Sequence, residues 1–174
     1  TEPGGRSLEH LRHAEFTAPE GVRWLGTSIA SLSQLQSVLV VGSNLRKDHP
    51  LFAQRIRQAA RLGCAVTAIT SRAFLRADDA WAMPLKAAQL AEAGDWAQAL
   101  ADVAAAVAAE KGVAAPVTGQ VTDVAKALAS SLLAGERKAI LLGNAAAHHG
   151  QASVLLALCQ WLGEQTGASV GFLI

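Results

Sequence analysis

Residues 38–62, VLVVGSNLRKDHPLFAQRIRQAARL, constrain the fold more than any other stretch of this chain. The first four are apolar and mostly β-branched, a pattern typical of a strand that is covered on both faces, as in parallel sheets. A polar turn begins at Gly42, and a helix beginning at Pro50 then places its apolar side chains on one face. Residues 64–69, CAVTAI, supply the next strand. The stretch therefore predicts one βαβ unit with a right-handed crossover.

The last third of the sequence repeats this arrangement. Residues 139–142, AILL, predict a second buried strand, and Gly143 begins a small polar turn before a helix with leucines at helical spacing. Gly167 is expected to end that helix, and residues 169–174 predict a final strand. Gly42 and Gly143 thus hold equivalent places in two strand–turn–helix–strand units, which is compatible with an internal duplication.

The remaining segments complete the predicted order of elements. Residues 1–21 are polar and predict a loose lead-in. Asp95 is expected to cap a long helix, with Gln98 in the reciprocal position. The other predicted elements are a strand at 22–25 and helices at 26–36, 84–90, 95–107 and 121 to about 135. Because the chain begins at Thr1 without a methionine, we expect it to be a piece of a longer protein.

Alternating strands and helices with short connections determine the predicted fold class. They predict an α/β fold with an open, mostly parallel, doubly wound (Rossmann-like) sheet and helices on both faces. A length of 174 residues, 51% of them hydrophobic, suits one domain with a packed core. We therefore expect residues 22–174 to form a single α/β domain, a fragment of a larger subunit.

Charge and composition argue against several classes of protein. Fifteen Lys and Arg against fourteen Asp and Glu give a net charge of +1, which is unlike a nucleic-acid-binding protein. The longest apolar runs fall far short of the roughly 20 residues that a transmembrane helix needs. Cys64 and Cys159 have no cysteine or histidine at ligand spacing, so buried thiols are expected. His148 and His149 are adjacent and cannot both bind one metal ion, which favours a surface turn.

The sequence lacks the motifs of the commonest nucleotide-binding and hydrolytic enzymes. No G-x-G-x-x-G follows residue 41, and there is no G-x-x-x-x-G-K-[ST]. No serine lies in a G-x-S-x-G elbow, because the one match, residues 167–171, leads from a predicted helix into a strand, whereas the elbow joins a strand to a helix. We therefore predict no catalytic residue and no metal ligand in this chain.

The two glycine turns are the candidate binding site. In a doubly wound sheet, ligands bind beyond the carboxyl ends of the strands, where these turns should lie side by side. The helices that follow would direct backbone amides at the same crevice. Residue type alone also fits ordinary turns between strand and helix, since Ser and Asn are enriched there. The candidate cofactor-binding residues are Gly42, Ser43, Asn44, Gly143 and Asn144.

Two stretches of the sequence resemble a known family. Residues 24–63 contain GSNLRKDHP, and residues 139–173 contain GNAAAHH. Together they resemble the large subunit of molybdopterin oxidoreductases. Within that family they are most similar to the related, molybdopterin-oxidoreductase-like subunit of bacterial NADH–quinone oxidoreductase, respiratory complex I. In the molybdenum enzymes, the turn that matches Gly42, Ser43 and Asn44 contacts the pterin dinucleotide cofactor.

The resemblance implies that this chain has lost the cofactor. In the molybdenum enzymes the next strand ends in Asp-Pro-Arg, which helps to hold the guanine, whereas this chain has Thr70, Ser71 and Arg72. A neutral hydroxyl is a weaker hydrogen-bond partner than a carboxylate. The resemblance therefore implies a vestigial crevice, no cofactor in this segment, and iron–sulfur clusters elsewhere in the parent subunit.

The same resemblance implies a setting for the chain. It would be a non-catalytic part of a complex that couples NADH oxidation to quinone reduction, on the cytoplasmic side of the inner membrane. Its partners would be other subunits of the peripheral arm, without direct membrane insertion and without nucleic acid. Two alternatives stay open: a working molybdopterin-dinucleotide-binding domain, and a nucleotide-binding domain of the type found in thiamin-diphosphate enzymes.

Overall fold

The computed structural model describes residues 32, 34–43, 50–75, 83 and 85–173, and the structural statements below concern these residues. Outside them lie the predicted lead-in at 1–21, the strand at 22–25, most of the helix at 26–36, and Asn44 with the rest of the turn at 44–49.

Within the described residues, five strands form one open sheet in which every neighbouring pair is parallel. The strands are β1 (Ser37–Val41), β2 (Ala65–Thr70), β3 (Ala87–Leu90), β4 (Lys138–Leu142) and β5 (Ser169–Phe172). Their spatial order is β3-β2-β1-β4-β5. Every residue of β1 and β4 is buried, as expected for central strands that are covered on both faces. The predicted α/β class and parallel sheet are confirmed.

Helices cover both faces of this sheet. They are α1 (Pro50–Arg61), α2 (Trp96–Lys111), α3 (Asp123–Leu133), the short α4 (Asn144–Ala147) and α5 (Ala152–Thr166). Alternate residues of β1 belong to different cores: Leu39 and Val41 pack with α2, α3 and α5, whereas Val38 and Val40 pack with α1. The sheet therefore separates two hydrophobic cores, which explains why consecutive residues of β1 are all apolar.

One predicted helix is a strand in the structure. The sequence predicts a helix at 84–90, but Ala87–Leu90 form β3 and pair with β2 along their whole length. Alanine, glutamine and leucine favour helix, yet so short a segment gains little from helix formation because the first turn is costly to form. Pairing with the edge of β2 satisfies its backbone groups instead, so tertiary context overrides local propensity here.

The predicted capping of α2 is also wrong. Asp95 is the residue before the helix, but in the described structure of residues 85–173 its side chain makes no capping hydrogen bond. Its backbone angles, φ −105° and ψ 4°, differ from the extended conformation that capping residues favour. Gln98 donates instead from Nε2 to Asp102 Oδ1 over 3.0 Å. A 3₁₀ turn at Ala93–Asp95 leads directly into the helix, so backbone geometry rather than a side chain sets its start.

Both cysteines are free and buried, as the sequence predicts. Burial raises the pKa of the Cys64 thiol to about 11 and also raises the pKa of Cys159. The described residues contain no group of three or more His, Cys, Asp or Glu side chains that could hold a metal ion. None of the helices in this part of the chain is long and apolar enough to cross a membrane.

We expect the two thiols to react slowly and differently with a disulfide reagent. Only the thiolate attacks, and a pKa of about 11 instead of 9.0 lowers the thiolate fraction of Cys64 about 100-fold at pH 8. Its rate should therefore rise about tenfold per pH unit toward pH 11. Cys159 is 0% exposed and should react only when the fold opens. Fast labelling of both thiols at pH 8, read by mass spectrometry of each peptide, would contradict this packing.

Candidate functional site

The two glycine turns lie side by side at the carboxyl edge of the sheet. β1 and β4 are neighbours, and the order of the sheet reverses between them. Gly143 N donates to Val41 O over 2.8 Å, and Gly42 N donates to Ile69 O over 2.8 Å. The predicted juxtaposition of Gly42 and Gly143 is therefore present, and it lies at the topological switch point where doubly wound folds bind ligands.

Both glycines are in close contact with neighbouring side chains. Gly42 has φ +63°, and a Cβ atom added to it would lie 2.8 Å from both Ala146 Cβ and Trp96 Cζ3. A Cβ atom added to Gly143 would overlap Ser43 Cβ. Because interiors are packed to the density of organic crystals, neither position has room for a side chain. Packing alone therefore accounts for glycine at both positions.

The indole of Trp96 covers Gly42. Trp96 is the first residue of α2, is 1% exposed, and donates from Nε1 to Ala91 O over 3.0 Å. Its ring is tilted against the imidazole of His149, with the ring centroids 5.7 Å apart. His149 Nε2 lies 2.6 Å from Ala93 O. The segments that follow β3 and β4 are thus joined to each other over the first glycine turn.

The five candidate residues have different environments. Gly42, Ser43 and Gly143 are buried, and within the described residues Ser43 Oγ has no hydrogen-bond partner. Asn144 is exposed and begins the four-residue α4. Asn44 lies outside the described residues. The structure therefore brings Ser43 and the two glycines together, and it leaves Asn144 at the surface.

Sequence reasoning missed Trp96 and Ala146, which contact Gly42, and His149, which packs against the Trp96 ring. The sequence predicts a surface turn for both His148 and His149; His148 is exposed, but His149 is partly buried against the Trp96 ring. The available signal was a tryptophan in the first turn of a helix that starts at the carboxyl edge of the sheet. Trp96 and Gly42 are 54 residues apart in the sequence, and no local sequence pattern predicts a contact over that separation.

A model of the molybdopterin oxidoreductase family matches residues 6–168, which is most of the chain. The chain belongs to the molybdopterin oxidoreductase family. A comparison with curated proteins found no match. Membership of this family of oxidoreductases confirms the coarser part of the resemblance, and it leaves the thiamin-diphosphate alternative without support.

The end of β2 bears on whether a molybdopterin oxidoreductase cofactor fits this chain. Thr70 is fully buried, and its Oγ1 donates to Ser43 O over 3.3 Å. Ser71 Oγ accepts from Phe74 N over 3.4 Å, at the start of the 3₁₀ turn Arg72–Leu75. The chain itself therefore engages both hydroxyl groups at the positions that match the family's acid and proline.

A cavity of about 550 Å³ lies at the carboxyl end of β3. Its charged lining consists of Arg72 and three carboxylates, Glu92, Asp95 and Asp102. Asp102 Oδ1 accepts hydrogen bonds from a side-chain amide and from a backbone amide, over 3.0 and 2.9 Å. A dinucleotide with its negative phosphates would meet more negative than positive charge here.

Taken together, the described residues fit a pterin dinucleotide poorly. Trp96 and Ala146 fill the space over Gly42, the Thr70 hydroxyl faces inward, and the nearby cavity is acidic. One observation favours binding: Ser43 Oγ is buried and has no partner in the described part of the chain, as expected for a polar atom that serves a ligand. We therefore derive no catalytic step through this cofactor.

Proposed function

We propose that this chain is a structural segment of an NADH–quinone oxidoreductase, within the subunit of bacterial complex I that resembles molybdopterin oxidoreductases. In this proposal it keeps the α/β fold of that family but binds no molybdenum cofactor and carries no electrons. NADH oxidation and quinone reduction take place elsewhere in the complex. Iron–sulfur clusters lie in other parts of the parent subunit, and other peripheral-arm subunits on the cytoplasmic side of the inner membrane are its partners.

The observation that carries this proposal is the position of the Thr70 hydroxyl. In the molybdenum enzymes, the matching position bears a carboxylate that holds the guanine, and a charge-assisted hydrogen bond is about twice as strong as a neutral one. Here a neutral group takes that place, is 0% exposed and donates to Ser43 O within the fold. The chain thus lacks both the charge and the accessible acceptor for a guanine.

The packing over the first glycine turn supports the same proposal. A cofactor that contacts this turn needs the space next to Gly42, and that space holds the Trp96 ring and the Ala146 methyl group. Trp96 is further held by its hydrogen bond to Ala91 O. Binding would require this buried ring to leave the core, at the cost of the burial that stabilises it.

We expect millimolar guanosine diphosphate to leave the melting temperature of the parent protein unchanged. A nucleotide at about 100 times its Kd would stabilise the fold by about 2.7 kcal/mol, which raises the Tm of a domain of this size by about 5–11 °C. A shift of that size that is lost in Arg72→Ala would contradict the proposal, because Arg72 lies at the end of β2 outside the two hydrophobic cores and its replacement leaves them intact. Lys86→Ala, which removes another exposed positive charge, is the matched control.

A working molybdopterin-dinucleotide-binding domain is the second candidate function. Ser43 Oγ favours it, because most buried polar groups have a partner, whereas this one lies at the switch point and finds none among the described residues. Metal analysis separates the two candidates. We expect the purified parent protein to contain far less than one molybdenum atom per chain, and a stoichiometric content would establish the second candidate instead.

A further inference from the structure

We propose that one stripe along α1 is the docking surface for an acidic amphipathic helix of a partner protein. The stripe consists of Leu51, Arg55, Gln58 and Leu62, and we name it the α1 seam. This inference rests on the proposed function, because a structural segment of a multi-subunit complex needs a surface for its partners.

The α1 seam is a single line of side chains separate from the buried face of the helix. Its residues follow one another at spacings of four, three and four, which places them on one side of a helix. Leu62 continues the helical turn, because its N–H donates to Gln58 O over 3.3 Å. The side chains of α1 that face the core are others: Phe52, Ala53, Ile56 and Ala59.

The ends of the seam are apolar and open to solvent. Leu51 is 51% exposed and Leu62 is 80% exposed. Single exposed leucines are common on protein surfaces. These two lie at the ends of one line, about 16 Å apart at 1.5 Å per residue, so one partner helix that runs along α1 would contact both.

The centre of the seam contains an unpaired donor that identifies the chemistry of the partner. Arg55 is partly buried, and its guanidinium donates to Gln58 Oε1 over 3.4 Å. Its Nε is buried and has no acceptor among the residues that the structure describes. A carboxylate accepts hydrogen bonds from Nε and a terminal nitrogen of one arginine at the same time. Because Nε is buried in the described chain, an Asp or Glu opposite Arg55 would reach it only after the guanidinium turns away from Gln58, and it would then satisfy a group that the described fold leaves unsatisfied.

The charge of α1 also favours an acidic partner. The helix carries Arg55, Arg57 and Arg61 and has no acidic residue. Among the residues that the structure describes, none of the three guanidinium groups forms an ion pair. Uncompensated positive charge on one helix attracts negative surfaces and repels positive ones.

A helix suits this seam better than a membrane surface does. A helix that lies in a membrane inserts its apolar face, but the apolar face of α1 is packed against the sheet. Only two leucines would remain to insert. A partner helix instead uses the whole line, and a polar pair in the middle of such a seam fixes its register.

The test measures the accessibility of the seam in the intact parent assembly. A Leu62→Cys substitution is labelled with a maleimide, and the modified peptide is quantified by mass spectrometry. We expect labelling in the purified assembly to be at least about tenfold slower than in the parent subunit separated from its partners, because interface sites open rarely. Gly94→Cys is the matched control: Gly94 is exposed, an added Cβ meets nothing within 4 Å, and its labelling should be equal in both samples.

Two variants test the acidic character of the partner. Arg55→Glu should restore fast labelling at Leu62→Cys, because it places a negative charge opposite the partner's carboxylate. Arg72→Glu changes an exposed arginine that is not part of the α1 seam and should leave the protection intact. In Arg55→Lys, a carbodiimide should cross-link this position to an Asp or Glu of the partner. If Arg55→Glu leaves the protection intact and Arg55→Lys forms no such cross-link, an acidic partner is excluded.

The remaining outcomes also decide the matter. Equal labelling of Leu62→Cys in both samples overturns the docking surface itself. Protection of the separated subunit by vesicles of phosphatidylglycerol, or by raising its own concentration, assigns the seam to a membrane or to a second copy and overturns the proposed helix. Leu62→Cys could also be protected in an assembly whose iron–sulfur clusters are not reduced by NADH. That result would refute the proposed function, but it would support the docking surface.

Discussion

Replacing Gly42 by alanine should lower the free energy of unfolding by about 2–5 kcal/mol. Gly42 has φ +63°, a conformation that costs an L-residue about 1–2 kcal/mol. The added methyl group would also press on Trp96 and Ala146, each 2.8 Å away, and overpacking costs about 1–3 kcal/mol. Urea unfolding of wild type and variant, with no ligand present, measures the difference.

A glycine series separates the two causes of this loss. Gly143→Ala adds a contact with Ser43 without positive φ, and we expect a loss of about 1–3 kcal/mol. Gly167→Ala has φ +83° but open space around its Cβ, and we expect a loss of about 1–2 kcal/mol. Gly94→Ala has neither and should stay within about 0.5 kcal/mol of wild type. If Gly42→Ala behaves like Gly94→Ala, the packing described over the first turn is wrong.

The parallel sheet could be predicted because its signal is local. Four consecutive apolar residues in β1 indicate a strand covered on both faces, and the structure places alternate members in two separate cores. The end of α5 was equally clear, since Gly167 adopts φ +83° at the position where a helix commonly stops. β3 was not predictable, because Ala87–Leu90 have helical composition and become a strand only through pairing with β2.

The candidate site divides in the same way. The glycines at the ends of β1 and β4 could be found from sequence, because parallel strands end at one edge of a sheet. What covers them could not, because Trp96 reaches Gly42 from a helix that begins after β3. The inward hydrogen bond of Thr70 to Ser43 O is likewise a contact between different elements. Sequence therefore locates the crevice, and only tertiary packing tells what occupies it.

Replacing Trp96 by alanine should lower the free energy of unfolding by about 3–5 kcal/mol, the usual loss for a large aromatic side chain removed from a core. The ring is 1% exposed, contacts the Gly42 turn, and is tilted against Phe74 and His149. Trp96→Phe keeps most of the packing but removes the donor to Ala91 O, so we expect about 1–2 kcal/mol from that variant. Urea unfolding ranks the three proteins.

The Trp96 variants also connect stability to function. Trp96→Ala removes the group that fills the space beside Gly42, while Thr70 still presents no carboxylate to a guanine. If the absent acid is decisive, guanosine diphosphate should leave the Tm of Trp96→Ala unchanged, as in the wild type. A nucleotide-dependent rise in Tm of Trp96→Ala alone would mean that the indole, rather than the loss of the acid, closes the site. In that case the crevice of the molybdopterin oxidoreductase fold is blocked in this chain but still competent to bind.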